Sequence, residues 1–160
     1  MSFSARATER SGALMADSQR ADVIISGGGL IGLTQALALA AHGLSSHVID
    51  RLDPEILKAD GFDGRTSAIS SSSLKMLNAI GLGTILEGKG CPIGQIWVSD
   101  GLKRGALDFV PNEDDGFLSQ MFENKLLRNV LHDAAVAEPL ITWHMPRTMK
   151  HLSRDEAAVE

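Results

Sequence analysis

With a single cysteine, Cys91, the chain can form no internal disulfide and no cysteine pair to hold a metal. The thiol is expected to be an ordinary reduced one in a cytoplasmic protein. Clusters of Lys and Arg are missing too, and the formal net charge is −5. That argues against a nucleic-acid partner, because phosphate contacts need grouped cations. Apolar runs are short: the longest, Leu30 to Leu44, is broken by Thr34, Gln35 and His42 and falls below the roughly 20 residues that a bilayer span requires. It is expected to be a buried core helix. Residues 1–20 carry no hydrophobic segment of the kind a secretory signal needs, although Arg6 and Arg10 give them a faint transit-peptide character. A disordered extension is expected there, with Met15 a natural start ahead of the first strand. His42, His47, His132, His144 and His151 follow no metal-ligand spacing, and no Gly-x-Ser-x-Gly, Cys/His pair or internal repeat occurs. Metal and nucleophilic catalysis therefore have no support.

What is present centres on Ala21 to Asp50. A β-branched run, Val23 to Ile25, leads directly into Gly27, Gly28, Gly29, Leu30, Ile31 and Gly32, after which apolar residues recur at helical spacing up to Gly43. This is strand, glycine turn and helix. Gly27 permits the tight turn, Gly29 lets the backbone approach a pyrophosphate, and Gly32 lets helix and strand pack. The N–H groups of Leu30 and Ile31, at the positive end of the helix, would face that anion. Ser46 to Ile49 reads as the second strand. Asp50 ends it about 20 residues beyond the glycines, where an acid can accept the ribose hydroxyls of an adenosine. These residues alone leave the dinucleotide open: Asp50 suits FAD or NAD, and Arg51 leaves room for a 2′-phosphate.

The whole chain, 160 residues and 44% hydrophobic, can bury one core, so one domain or part of one is expected. From Arg51 to Ser67 a polar connection with Pro54, Gly61 and Gly64 leaves the carboxyl end of a strand, which places it beside the ligand crevice. Ser70 to Ser73 offer helix caps, Leu74, Leu77 and Ile80 form a helical stripe, and Gly81 suits its stop. Ile93 to Val98 and Ala106 to Val110 read as an antiparallel hairpin, Leu118 to Phe122 as a further strand and Asn124 to Ala137 as a helix. Glu113, Asp114 and Asp115 lack the spacing of an EF-hand and read as a solvated loop. Leu140 to His144 would be the third parallel strand beside 21–26 and 46–49. The fold class expected is therefore α/β, a Rossmann-like parallel sheet with helices, from which the hairpin departs toward another layer.

The order DVIISGGGLIG, HVID, DGRTSAIS, LNAIGL and ENKLLRNVL resembles the amino-terminal part of the flavoprotein aromatic hydroxylases related to para-hydroxybenzoate hydroxylase, and within them the ubiquinone-biosynthesis hydroxylases. The likeness covers about residues 20–150, its most telling motif being Asp63-x-Arg65-x-x-Ala68-Ile69. It implies FAD as cofactor, NAD(P)H as co-substrate and oxygen-dependent hydroxylation of an electron-rich ring, the substrate an aromatic precursor that carries a prenyl tail. Arg65 and Arg128 are implied as cofactor contacts, and Glu123 as a neighbour of the ribityl chain. No residue is assigned as a catalytic acid or base. The resemblance further implies a cytoplasmic protein peripheral to the inner membrane or held in a biosynthetic complex, residues 21–160 forming part of an FAD-binding domain and 91–122 an excursion toward the substrate domain. The domain is expected to be incomplete, since the family closes its FAD site with a later Gly-Asp motif that does not occur between Met145 and Glu160. Two other readings share the glycine turn: an NAD-linked dehydrogenase, and a dinucleotide-binding module without catalysis.

Overall fold

The computed structural model describes residues 20–53, 64–101, 107–156, 158 and 159. The expected amino-terminal extension, and most of the connection after Asp50 including Asp63, lie outside the described residues. In chain order the elements are β1 (Val23–Ser26), α1 (Leu30–Ala41), β2 (Ser46–Ile49), β3 (Thr66–Ser70), α2 (Ser71–Ala79), α3 (Gly83–Leu86), β4 (Cys91–Ile93), β5 (Ile96–Val98), β6 (Leu107–Phe109), β7 (Ser119–Glu123), α4 (Asn124–Val136) and β8 (Ile141–His144).

The three expected parallel strands form one sheet in the order β1-β2-β8. Its middle strand, β2, is the most buried, with Ser46, His47 and Val48 all enclosed, as a strand covered on both faces should be. Helix α1 turns Leu33, Ala36 and Leu37 inward, and α4 contributes Leu127, Val130, Leu131 and Ala135 to the same core. The indole Nε1–H of Trp143 donates to the carbonyl of Ala135 at 3.3 Å, fastening β8 beneath α4. The expectation of a fully buried first helix needs correction. Ile31 is 83% exposed, so α1 is covered on one side and presents its first turn to solvent.

A second sheet is antiparallel, in the order β3-β7-β4, with Ala68 and Cys91 both registered against Met121. Phe122 on the central strand is 1% exposed and joins the core that holds Ile25 and Val48. Both sheets therefore share one apolar interior. Residues 66–70, where the sequence ends the expected loop at Ser67 and offers Ser70 as a cap, are a strand. Their alternation is half-polar, and the partner β7 lies far along the chain, beyond the reach of local pattern reading. Only the last residue acts as the expected cap: Ser70 Oγ accepts the N–H of Ser73 at 3.2 Å. The stop is at Gly81, with φ +87°.

The expected hairpin is also divided. Ile96–Val98 pairs with Leu107–Phe109, but Cys91–Ile93, across Gly94 and Gln95, joins the other sheet. Pro92 is accommodated because β4 is an edge strand there. In the acidic loop Glu113 and Asp114 are exposed, as expected, while Asp115 is partly covered. Asp115 meets Lys75 Nζ at 2.6 Å and accepts from Ser71 Oγ, tying the loop to α2; the Lys75 contact chiefly holds its carboxyl below the usual carboxylate range.

Candidate cofactor site

Each glycine of the turn has its own environment. Gly27 adopts φ +113° and donates its N–H to the carbonyl of Ile49 at 2.8 Å, binding the turn to the end of β2. A Cβ on Gly32 would lie 1.8 Å from the carbonyl oxygen of Gly27, so only glycine allows α1 to start this close to the turn. Gly28 is buried, and a Cβ there would come within 3.0 Å of Met145 Cε and 3.3 Å of Asp50 Cβ. Gly29 is different. It is exposed, and a Cβ would meet nothing within 4 Å, which leaves room for a diphosphate against the backbone.

Gly29 is also the N-cap of α1, brings no capping side chain, and is followed by a first turn without an acidic residue. Intrahelical bonding starts at Leu33, whose N–H donates to Gly29 at 3.0 Å. The N–H groups of Leu30, Ile31 and Gly32 precede that bond and, with the helix dipole, favour an anion.

Asp50 stands at the carboxyl end of β2, as expected, but its carboxylate has a second task. Oδ2 accepts the N–H of Gly28 at 2.7 Å, and Oδ1 that of Leu52 at 2.8 Å. A carboxylate offers about four lone-pair positions, so it can brace the turn and still accept ribose hydroxyls. Its backbone is tied to β8 and to the segment after it: the Asp50 N–H donates to His144 at 3.3 Å, and its carbonyl accepts from Arg147 at 2.7 Å. Behind this joint the rings of His144 and His47 share a hydrogen bond of 2.9 Å. Burial above all, then the neighbouring His47 and Arg147, hold the His144 imidazole below its ordinary pKa.

Arg65, Glu123 and Arg128 gather at a second place, the corner where β7 becomes α4. Arg65 is exposed just ahead of β3, and its carbonyl accepts the N–H of Asn124 at 3.0 Å. Glu123 is registered against Thr66 and is the N-cap of α4, although its side chain makes no capping bond. Arg128 lies one turn into that helix, half-buried. Two residues that sequence reading missed complete the corner: Ser67 Oγ donates to Asn124 Oδ1 at 2.6 Å. Neither carried a signal, since a serine in a strand and an asparagine at a helix start are ordinary. A cavity of about 310 Å³, lined by Leu30, Ile31, Ser67, Ile69, Leu127 and Leu131 among others, joins this corner to the first turn of α1. A larger open hollow of about 620 Å³ among α2, α3 and β7 touches none of the predicted site residues. Among the described residues no group of three His, Cys, Asp or Glu could hold a metal, and no helix is long and apolar enough to cross a membrane.

A glycine turn between parallel strands, a helix amino terminus open toward it and an acid closing the second strand define a dinucleotide-binding domain of the doubly wound class. Residues 20–160 match the FAD binding domain family, and the chain belongs to it. The dinucleotide that the glycine turn left open is, in this family, FAD. Among curated relatives, the chain is similar to ubiquinone hydroxylase UbiL of Rhodospirillum rubrum, with 44% identity over 84% of this chain and 32% of the relative. It is also similar to 3-demethoxyubiquinol 3-hydroxylase of Escherichia coli, with 30% identity over 87% of this chain and 36% of the relative. The chain thus spans about a third of the length of these relatives. The flavin-dependent monooxygenase PieE, solved with FAD and substrate, shares the fold at a TM-score of 0.61 and 18% identity, over 88% of this chain and 27% of that one.

Proposed function

We propose that the chain is the amino-terminal part of an FAD-dependent monooxygenase that hydroxylates an aromatic ring, with a ubiquinone precursor as substrate and NAD(P)H and oxygen consumed. The observation that carries this reading is the braced turn: Asp50 held on the Gly28 N–H beside the open amino terminus of α1, in a chain whose curated relatives are named as ubiquinone hydroxylases. In this assignment Gly27, Gly29, Leu30, Ile31, Gly32 and Asp50 hold the adenosine diphosphate half of FAD. The amides of Leu30 and Ile31 face the diphosphate and Asp50 accepts from the ribose. Arg65 and Arg128 serve the remainder from the β3–α4 corner. When bound, FAD supplies the redox chemistry; these residues bind it, orient it and keep water away. Residues 21–160 are then the opening part of the FAD-binding domain, and 91–122 the start of a substrate-facing sheet. Because a prenylated precursor is lipid-like, the same reading places the full-length protein against a membrane face or in a biosynthetic complex.

The test is an absorption spectrum of the purified full-length gene product, followed by cofactor extraction and oxygen-uptake assays with NADH and NADPH. Flavin bands, extracted FAD and ring-stimulated oxygen consumption are expected. A colourless protein that binds NAD would overturn the reading in favour of a dehydrogenase. Arg65→Ala should weaken FAD affinity about tenfold, the loss of one charge-assisted contact, while the melting temperature of the apo-protein stays nearly constant.

A further inference from the structure

Two hydrogen bonds at the β3–α4 corner meet at Asn124. The N–H of Asn124 is one of the donors that a helix start cannot satisfy internally, and it is satisfied by the Arg65 carbonyl at 3.0 Å. Its side-chain oxygen accepts from Ser67 Oγ, a half-buried contact of 2.6 Å between residues 57 apart in the chain. Asn124 thereby grips β3 on both sides of Thr66. Arg65 itself is exposed, at the exit of a glycine-containing connection. A contact to an anion is weakened by whatever ordering of backbone and side chain it requires.

We propose that Asn124, together with Ser67, is a positioning residue for Arg65: it sets the backbone from which the guanidinium reaches the cofactor. The inference rests on the reading of Arg65 as a cofactor contact. It assigns Asn124 a role exerted through Arg65, by one bond to the Arg65 carbonyl and a second to Ser67 two residues further along the chain.

Local geometry supplies a sharp test. Asn124 is the first helical residue of α4, and Glu123 before it has φ −65° and ψ 133°, the extended conformation that a residue preceding proline prefers. Proline is well tolerated at that first helical position, so Asn124→Pro removes both bonds without opposing the helix. Asn124→Ala and Ser67→Ala remove only the side-chain bond, and Ser67→Thr keeps it.

In the full-length protein, FAD titration should give a Kd raised about two- to tenfold by Ser67→Ala and by Asn124→Ala, the range one net hydrogen bond spans. Asn124→Pro should raise it further, and Ser67→Thr should stay within about twofold of the wild type. The apo-protein should melt within about 4 °C of the wild type throughout. In an Arg65→Ala background the same substitutions should change Kd by less than about twofold, because the residue they position is gone. If Arg65→Ala weakens FAD binding and the Ser67 and Asn124 variants do not, the positioning role falls while the Arg65 reading stands. Full additivity with Arg65→Ala overturns it as well, as does a melting loss that tracks the affinity loss. If Arg65→Ala itself leaves affinity unchanged, the reading beneath the inference has failed.

Discussion

Gly29 and Gly32 lie within one turn of each other, and a methyl group would affect them in opposite ways. At Gly32 it would strike the Gly27 carbonyl at 1.8 Å, so Gly32→Ala should cost about 2–3 kcal/mol or more as the turn is forced off the helix. At Gly29 it meets open space at φ −80°. Gly29→Ala should fold with a stability change within about 0.5 kcal/mol yet bind FAD at least about tenfold more weakly. Melting curves of the apo-proteins and FAD titration of the full-length forms separate the two; equal losses in both assays would refute the division of labour. The steric roles of Gly27 and Gly32 were legible in the sequence because they follow from geometry within a few residues. The bond from Asp50 to the Gly28 N–H was not, because it forms only when the sheet brings turn and strand end together. Ser67 and Asn124 were silent for the same reason.

At the scale of elements, the unit β1–α1–β2, the helix α4 and the strand β8 were all readable from periodicity, since each carries its own apolar pattern. β3 and the division of β4 from β5 were not, because in both cases a distant partner, β7, decides the structure. The joint between β2 and β8 gives a measurable consequence. In the unfolded chain the His144 imidazole takes its proton near 6.5, whereas in the fold burial and its neighbours lower that value. Between the two values the unfolded state binds more protons, so stability is complete above about pH 6.5 and declines as pH falls below it. His144→Gln, which cannot titrate, should show a shallower decline in melting temperature between about pH 7.5 and pH 5.5. An identical slope in the variant would mean that the pair does not contribute.

For the whole molecule, the important fact is how much apolar surface remains uncovered. β1 pairs only with β2 among the described residues, and the ribbon β5–β6 presents Ile96, Val98, Leu107 and Phe109 on one face, all exposed. Trp97 on the opposite face is 68% exposed. A two-stranded ribbon of this kind is not stable unless it is packed against something, and surfaces of this character promote association. The 160-residue chain purified alone should therefore bind a hydrophobic dye, scatter light at low concentration and fail to retain FAD, whereas the full-length protein should be well behaved and yellow. A monodisperse short chain carrying stoichiometric FAD would contradict this.

The contacts at and behind Asp50 differ widely in chain separation, which favours an order in time. The bond to Gly28 closes a segment of 22 residues, whereas the His47–His144 contact behind it closes 97, with the whole antiparallel excursion in between. Loop closure grows costlier with length, and non-local parallel pairing is slow. On a ribosome the glycine turn, α1 and β2 emerge and can close on one another well before β8 exists to flank them. The glycine turn can thus close early in the nascent chain, before Arg147 arrives to hold the carbonyl of Asp50.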